Sequence, residues 1–456
     1  MSPEAAKAVL SLFKRHARRL LALILIFFCV LSSLIWIQEP VLRRATIVAC
    51  VCLTLWLTEV VPPYVPTFVL WALTPLLLFG LGDQFQLTSV LGWSANPVLA
   101  LFLGGFTLSV AASRYGIDSL IARLAVRWSR GSKLLLLVLT ATATASLSMW
   151  MSNIAAAAMM IAALHPLFSD VQKGDPFRRA LLLGIALGAN FGGLATPIGT
   201  GPNAIAIAAV SSNHAITFTD WMLFALPLAL GLLIAGLALL LARFHVRGKL
   251  GELSAVPVKA PTRGGQLVMV VFFLTVAAWL TEPLHGTPSA IVALITTAVL
   301  FGSGLLKRDD LRRIDWSTLL LIAGGIGLGN LLEQSGVIRV AGTAMPWQEL
   351  HHVARLFILC FTSALLAALM SNTAAVTMLI PLAAGIDPAP STAILIAIAA
   401  SLGIPFVIST PPNAMIYGEG GITFSDLAVP GLILMLLGCV LVSTTGPWVL
   451  NLAGVP

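Results

Sequence analysis

Two Ser-Asn pairs, Ser152-Asn153 and Ser371-Asn372, sit in the middle of long apolar runs. Two further stretches follow them, Thr200-Gly201-Pro202-Asn203 and Thr410-Pro411-Pro412-Asn413. Hydroxyl, amide and freed carbonyl oxygens in such places suit a hard cation such as Na⁺. Helix N-termini beside them offer unpaired N–H donors and a positive dipole end, which suit an anion. Residues 134–169, 180–219, 356–386 and 388–418 contain no Lys, Arg, Asp or Glu. A site built from them has no fixed charge. An anion there needs a co-bound cation, and the cation needs the anion, because an isolated charge in low dielectric is very costly. Such mutual dependence is a coupling free energy, and it is reciprocal.

The elements that must position these groups are membrane elements. The chain of 456 residues is 58% hydrophobic and 10% charged, with a mean hydropathy of +0.98. No soluble domain of this length has that balance. The run 134–169 is too long for one crossing of about 20 residues and short for two. It reads as a re-entrant helical hairpin whose tip lies at membrane depth, where non-helical backbone is tolerated only inside protein or beside a watery cavity. Residues 351–386 read as a second such hairpin. Gly and Pro at the density of residues 195–203 break a helix rather than bend it, so 178–212 and 392–418 are expected to be discontinuous helices.

The same order of motifs occurs twice. Trp56-Leu57-Thr58-Glu59 recurs as Trp279-Leu280-Thr281-Glu282, Gly104-Gly105 as Gly324-Gly325, and Ile216-Thr217-Phe218-Thr219-Asp220 as Ile422-Thr423-Phe424-Ser425-Asp426. Each copy holds an odd number of crossings plus a hairpin, so the second copy is inverted relative to the first. The expected fold is therefore an all-α polytopic membrane protein with about 11 transmembrane helices. Residues 1–44 form a basic segment and first transmembrane helix, 45–242 repeat 1, 243–266 a cytoplasmic linker and 267–456 repeat 2. With the N-terminus cytoplasmic, only Arg43, Arg44, Arg339 and Arg355 of the 26 Lys and Arg fall outside, which satisfies the positive-inside rule. The net charge of +8 thus sets orientation, and nucleic acid is excluded as a partner.

At these residues the chain resembles the divalent-anion:sodium symporter (DASS) family, over nearly its whole length. The family's hallmark is a pair of Ser-Asn-Thr hairpin tips, each followed by a Thr-Pro-Pro-Asn-like break. Ser371-Asn372-Thr373 and Thr410-Pro411-Pro412-Asn413 match fully. The first copy reads Ser152-Asn153-Ile154 and Thr200-Gly201-Pro202-Asn203. The resemblance implies Na⁺-coupled symport of a divalent organic anion such as a C4-dicarboxylate, elevator movement, a homodimer and a bacterial inner-membrane location. It implies one Na⁺ per repeat and no organic cofactor. The first ion would lie near Ser148, Ser152, Asn153 and the Gly199 carbonyl, the second near Ser371, Asn372 and the Ser409 carbonyl. Substrate carboxylates would meet Asn153, Asn372, Thr373 and Thr410 or Pro411. Ile154 departs from the pattern and replaces a hydroxyl by a methyl-lined wall at the substrate. An exchanger and a sulfate or oxyanion carrier of the same fold are the alternatives.

Set against a site is the use of Ser, Thr and Asn as interhelical glue; four motifs in repeat-related pairs outweigh it. An enzyme is disfavoured, because the charge-free stretches hold no carboxylate pair, His cluster or activated nucleophile. An ATP-driven pump is disfavoured by the lack of a Walker-A sequence.

Overall fold

The computed structural model describes the backbone of residues 3–211, 215–250, 260–343 and 347–455, and side chains from Ala17 onward apart from a few positions inside helices. Part of the 243–266 linker and residue 212 of the first broken helix lie outside the described residues. Every regular element among the described residues is helical. Among the described residues, eight helices are long and apolar enough to cross a membrane, including Ala17–Trp36, Pro97–Arg114, Phe218–Phe244 and Phe424–Leu452. Shorter apolar helices, such as Val65–Leu77, Ser289–Gly302 and Pro390–Ala400, lie between them.

The element order repeats as the motifs predict. A helix (Pro97–Arg114) leads through a short amphipathic helix (Ile117–Trp128) to hairpin 1, with arms Lys133–Ser148 and Asn153–Asp170. Broken helix 1 follows (Pro176–Leu194 and Gly201–Val210), and then Phe218–Phe244. The second pass runs Trp316–Gln334, Val337–Thr343, hairpin 2 (His352–Leu369 and Asn372–Ile386), broken helix 2 (Pro390–Ala400 and Pro411–Gly418) and Phe424–Leu452. One boundary differs from expectation. Broken helix 2 opens at Ser401, well before Ser409, because Gly403 and Pro405 end the first half early.

The repeated motifs have repeated physical roles. The Trp56 indole donates to the Pro63 carbonyl at 2.9 Å and the Trp279 indole to the Ser289 carbonyl at 3.0 Å. Each ties a helix end to the following turn. The Ile-Thr-Phe-Thr/Ser-Asp motifs are capping boxes. Asp220 accepts from the Thr217 N–H at 2.9 Å, and Asp426 from the Thr423 N–H at 3.0 Å.

The chain divides into two compact units. One comprises residues 1–96, 316–350 and 377–388. Within it, Gly324 lies so close to Thr67 that a Cβ would collide with the threonine side chain. The other unit comprises residues 97–315, 351–376 and 389–456. There Gly104 meets the Ala293 backbone in the same way. In each case a glycine packs on a helix remote from it in the chain. Interhelical approach at small residues is the usual packing mode in lipid, where apolar burial drives little association.

Within the second unit, ion pairs join segments remote in the chain. Arg114 pairs with Asp310. Arg179 and Arg243 both reach Asp426, at 3.0 and 3.3 Å. The Thr219 hydroxyl donates to the Leu280 carbonyl at 3.0 Å.

Candidate substrate and cation site

All residues singled out as a site belong to the second unit. Hairpin 1 turns at Met149–Ser152, and Ser152 caps its second arm by accepting the Ala155 N–H at 3.3 Å. Hairpin 2 turns at Met370-Ser371, with Asn372 opening its second arm. Both tips are therefore helix N-termini, and Asn153 and Asn372 each stand at the first helical position.

Around the first tip, oxygens gather. The Ser148 hydroxyl lies 2.6 Å from the Ala189 carbonyl and 2.8 Å from Asn153 Oδ1. A hydroxyl carries one proton, so with that proton on Ala189 an oxygen faces an oxygen at Asn153. The Gly199 carbonyl adjoins the same spot. A Cβ on Gly193 would collide with Asn153 Oδ1 and lie 3.1 Å from the Gly199 carbonyl. Residues 193 and 199 are thus held to backbone alone by the closeness of these acceptors. Ser148 is fully buried. A cation relieves such a convergence of neutral, hard oxygens.

The second tip shows the same demand in another form. Asn372 Oδ1 is buried with no hydrogen-bond partner, and an unpaired buried polar group is destabilising unless a ligand or ion meets it. Ser409 is 3% exposed; its hydroxyl accepts the Phe406 N–H at 2.9 Å and donates to the Ala368 carbonyl at 3.0 Å. The Ser409 side chain is thus occupied in bracing the break, which leaves its backbone carbonyl as the group for an ion. Ala367 stands where hairpin 1 has Ser148, so the second cluster lacks that hydroxyl.

The tips and breaks of different repeats meet. Gly201, the first residue of the second half of broken helix 1, faces Thr373 so closely that a Cβ would collide with the threonine hydroxyl. The second half of broken helix 2 packs on the second arm of hairpin 1 and on the first half of broken helix 1. Thr410 caps its half-helix through the Asn413 N–H at 3.4 Å and is buried, whereas Pro411 is exposed. Ile154 is 49% exposed, an isoleucine at a helix N-terminus without the burial its type favours.

Three asparagines beyond the predicted ligands shape the site. Asn203 donates to the Gly193, Leu194 and Thr196 carbonyls at 3.1, 3.4 and 2.7 Å. Asn413 donates to the Ile404 and Phe406 carbonyls at 2.8 and 3.0 Å. Each thereby satisfies carbonyls left over where the first half-helix stops, the obligation every helix C-terminus carries. The third, Asn190, donates to Asn413 Oδ1 at 3.3 Å and so joins the two breaks. The side-chain amide oxygens of Asn190 and Asn203 are buried without hydrogen-bond partners. The Pro-Asn signal marked the breaks; Asn190, inside an apolar helix, gave no signal beyond its own polarity.

Residues 36–393 match the profile of the citrate transporter family, CitMHS. Among curated proteins, the inorganic phosphate transporter PHO87 of Saccharomyces cerevisiae is 26% identical over 89% of this chain and 46% of its own length. The sodium-dependent dicarboxylate transporter SdcS of Staphylococcus saprophyticus is 27% identical over 85% of this chain and 82% of its own. Among solved structures, the YdaH transporter of Alcanivorax borkumensis superposes with a TM-score of 0.56 at 16% identity, covering 90% of this chain and 98% of that one. This likeness establishes the transporter fold.

Proposed function

The chain belongs to the CitMHS citrate transporter family, and we propose that it carries out Na⁺-coupled symport of a divalent organic anion such as a C4-dicarboxylate. One observation carries the reading: at one hairpin tip the Asn153 amide lies beside neutral oxygens and at the other the Asn372 amide oxygen is buried without a partner, both in stretches without fixed charge. Bound Na⁺ supplies the positive charge that such a site lacks. The chain's own groups do the rest. Asn153 and Asn372 each offer an amide N–H to a carboxylate and an amide oxygen to the ion, so one side chain addresses both cargoes. The helix N-termini behind them favour the anion by about 0.3–1 kcal/mol each, more when partly buried. Elevator movement, a homodimer, one ion per repeat and a cytoplasmic N-terminus in a bacterial inner membrane complete the proposal. The test is uptake of labelled succinate, citrate, sulfate and phosphate into proteoliposomes with and without a Na⁺ gradient. Na⁺-driven carboxylate uptake supports the reading; uptake that needs a counter-anion but ignores Na⁺ replaces it with exchange.

A second reading, oxyanion transport, is favoured by Ile154 and by the similarity to a phosphate transporter. Ile154→Thr separates the two. Threonine keeps the β-branch and should fold and insert normally. Its hydroxyl adds a charge-assisted bond of about 1.5–3 kcal/mol to an anion beside Asn153, about tenfold or more in affinity. Competition against labelled substrate should show C4-dicarboxylates gaining by that factor. An unchanged profile would place Ile154 away from the substrate.

Gly193→Ala tests the first ion cluster. Its Cβ would displace the Asn153 amide from the Gly199 carbonyl. Loss of one contact of about 1.5 kcal/mol should raise the Na⁺ concentration for half-maximal uptake about tenfold. Na⁺ titration of uptake reads this directly, and an unaltered curve would mean that the cluster holds no ion.

A further inference from the structure

We propose a second anion site, separate from the hairpin tips, at the junction of hairpin 1 with the far end of broken helix 2. A cavity of about 540 Å³ opens there, lined by His165, Phe168, Lys173, Arg178, Glu419 and their neighbours. Arg178 is its centre. It is 5% exposed, and its guanidinium lies 5.3 Å over the Phe168 ring. Two of its donors are used, by the Val171 carbonyl at 3.3 Å and the Glu419 carbonyl at 3.2 Å. Its Nε is buried and unpartnered. Both partners are neutral backbone oxygens, and Arg178 enters no ion pair among the described residues.

A buried guanidinium without a counter-ion is an expensive state. Its setting makes the deficit worse. Arg178 lies in the first turn of Pro176–Leu194, where the helix dipole already favours negative charge. Asp175 is spent on capping, accepting the Phe177 and Arg178 N–H groups at 2.8 and 3.3 Å. Among the described residues, Glu419 is the one carboxylate on the cavity wall. It reaches neither Arg178 nor Lys173 within ion-pair distance, and only its backbone oxygen meets the guanidinium. By contrast, neighbouring Arg179 has its own carboxylate, Asp426. The cavity therefore fits an oxyanion of multiple charge, a phosphate or polyphosphate group, bound by the spare guanidinium donors and the Lys173 ammonium. Two sources carry that chemistry, a free phosphate compound and a phospholipid head group.

The position gives such an anion a consequence. Arg178 already bridges Val171, at the base of hairpin 1, to Glu419, at the end of broken helix 2. Lys173 lies beside Gly420 in the same joint. An anion held by both cations fastens the transport elements of the two repeats together at one end, so occupancy should slow transport while leaving substrate affinity at the tips unchanged.

The experiment uses the full-length protein, purified in detergent and delipidated, with pyrophosphate as the probe in calorimetric titration. Native mass spectrometry of the undelipidated protein reads retained anionic phospholipid. The expected result is saturable pyrophosphate binding, weakened about tenfold in Arg178→Gln and by a smaller factor in Lys173→Gln. The lysine is exposed, so its variant keeps the test valid where Arg178→Gln fails to fold. Asn153→Ala should bind pyrophosphate as the wild type does. A phospholipid that blocks pyrophosphate until removed, and is lost in the variants, supports the site and identifies a head group as its occupant. Neither pyrophosphate binding nor a retained lipid, binding equal in wild type and Lys173→Gln, or binding abolished by Asn153→Ala would overturn the proposal.

Discussion

Asn372→Ala and Asn153→Ala are expected to reduce uptake by at least a hundredfold while leaving the protein folded. Each amide is asked to serve substrate and ion at once, and alanine serves neither. Loss of one hydrogen bond to a charged group is worth about 1.5–3 kcal/mol. Removing two such contacts from one side chain gives about 3–6 kcal/mol, or about two to four orders of magnitude. Stability should move the other way at Asn372. Its Oδ1 is already buried and unpaired, so truncation removes a burden and the ion-free protein should unfold no earlier than wild type. Uptake assays with thermal unfolding in Na⁺-free buffer check both halves. Full activity in either variant would remove the hairpin tips from the site.

The second large effect concerns the breaks. Asn413→Ala strands the Ile404 carbonyl and Asn203→Ala the Gly193 carbonyl, whereas the Phe406 and Thr196 carbonyls keep the Ser409 and Gly199 N–H groups and the Leu194 carbonyl keeps the Trp221 indole. Interhelical bonds in membranes average only about 0.6 kcal/mol, because the groups find other partners. A stranded carbonyl at a helix stop buried within the protein has no such recourse, and an unsatisfied group of this kind costs about 1–3 kcal/mol. Either variant should therefore lose about 1–3 kcal/mol, a sizeable share of a typical 5–15 kcal/mol. Asn413→Ala also strands the Asn190 amide, which donates to it. The readout is the unfolding temperature in detergent and proteolytic nicking near residues 401–410. Wild-type stability in both variants would show that the clamps are dispensable.

Much of this architecture could be read from residue types. Gly and Pro punctuate the helices where the chain breaks, and the polar pairs mark the hairpin tips, because polar groups inside apolar runs are too costly to be idle. The recurrence of Trp56 as Trp279 and of Thr217-to-Asp220 as Thr423-to-Asp426 announced the repeat. What these motifs do was less apparent. The spacing of Thr and Asp spells a capping box, yet its value as a repeat marker drew attention first. The early stop at Ser401 was hidden because Pro405 is flanked by apolar residues that continue the helical hydropathy. Asn203 and Asn413 were noticed as break residues but not as clamps, since which carbonyls a helix stop releases is decided in three dimensions. The cavity at Arg178 joins residues 241 positions apart, and no local pattern encodes that pairing.

The central claim is that a site without fixed charge binds anion and cation only as a pair. The most direct measurement is the substrate dissociation constant of the purified protein across a Na⁺ series, paired with the Na⁺ constant across a substrate series. The two affinities should rise by the same factor, as thermodynamic linkage requires. That factor should be at least about tenfold, since couplings of 1–3 kcal/mol are typical between linked sites. Tight substrate binding that is indifferent to Na⁺ and to every other monovalent cation, H⁺ included, would contradict the account.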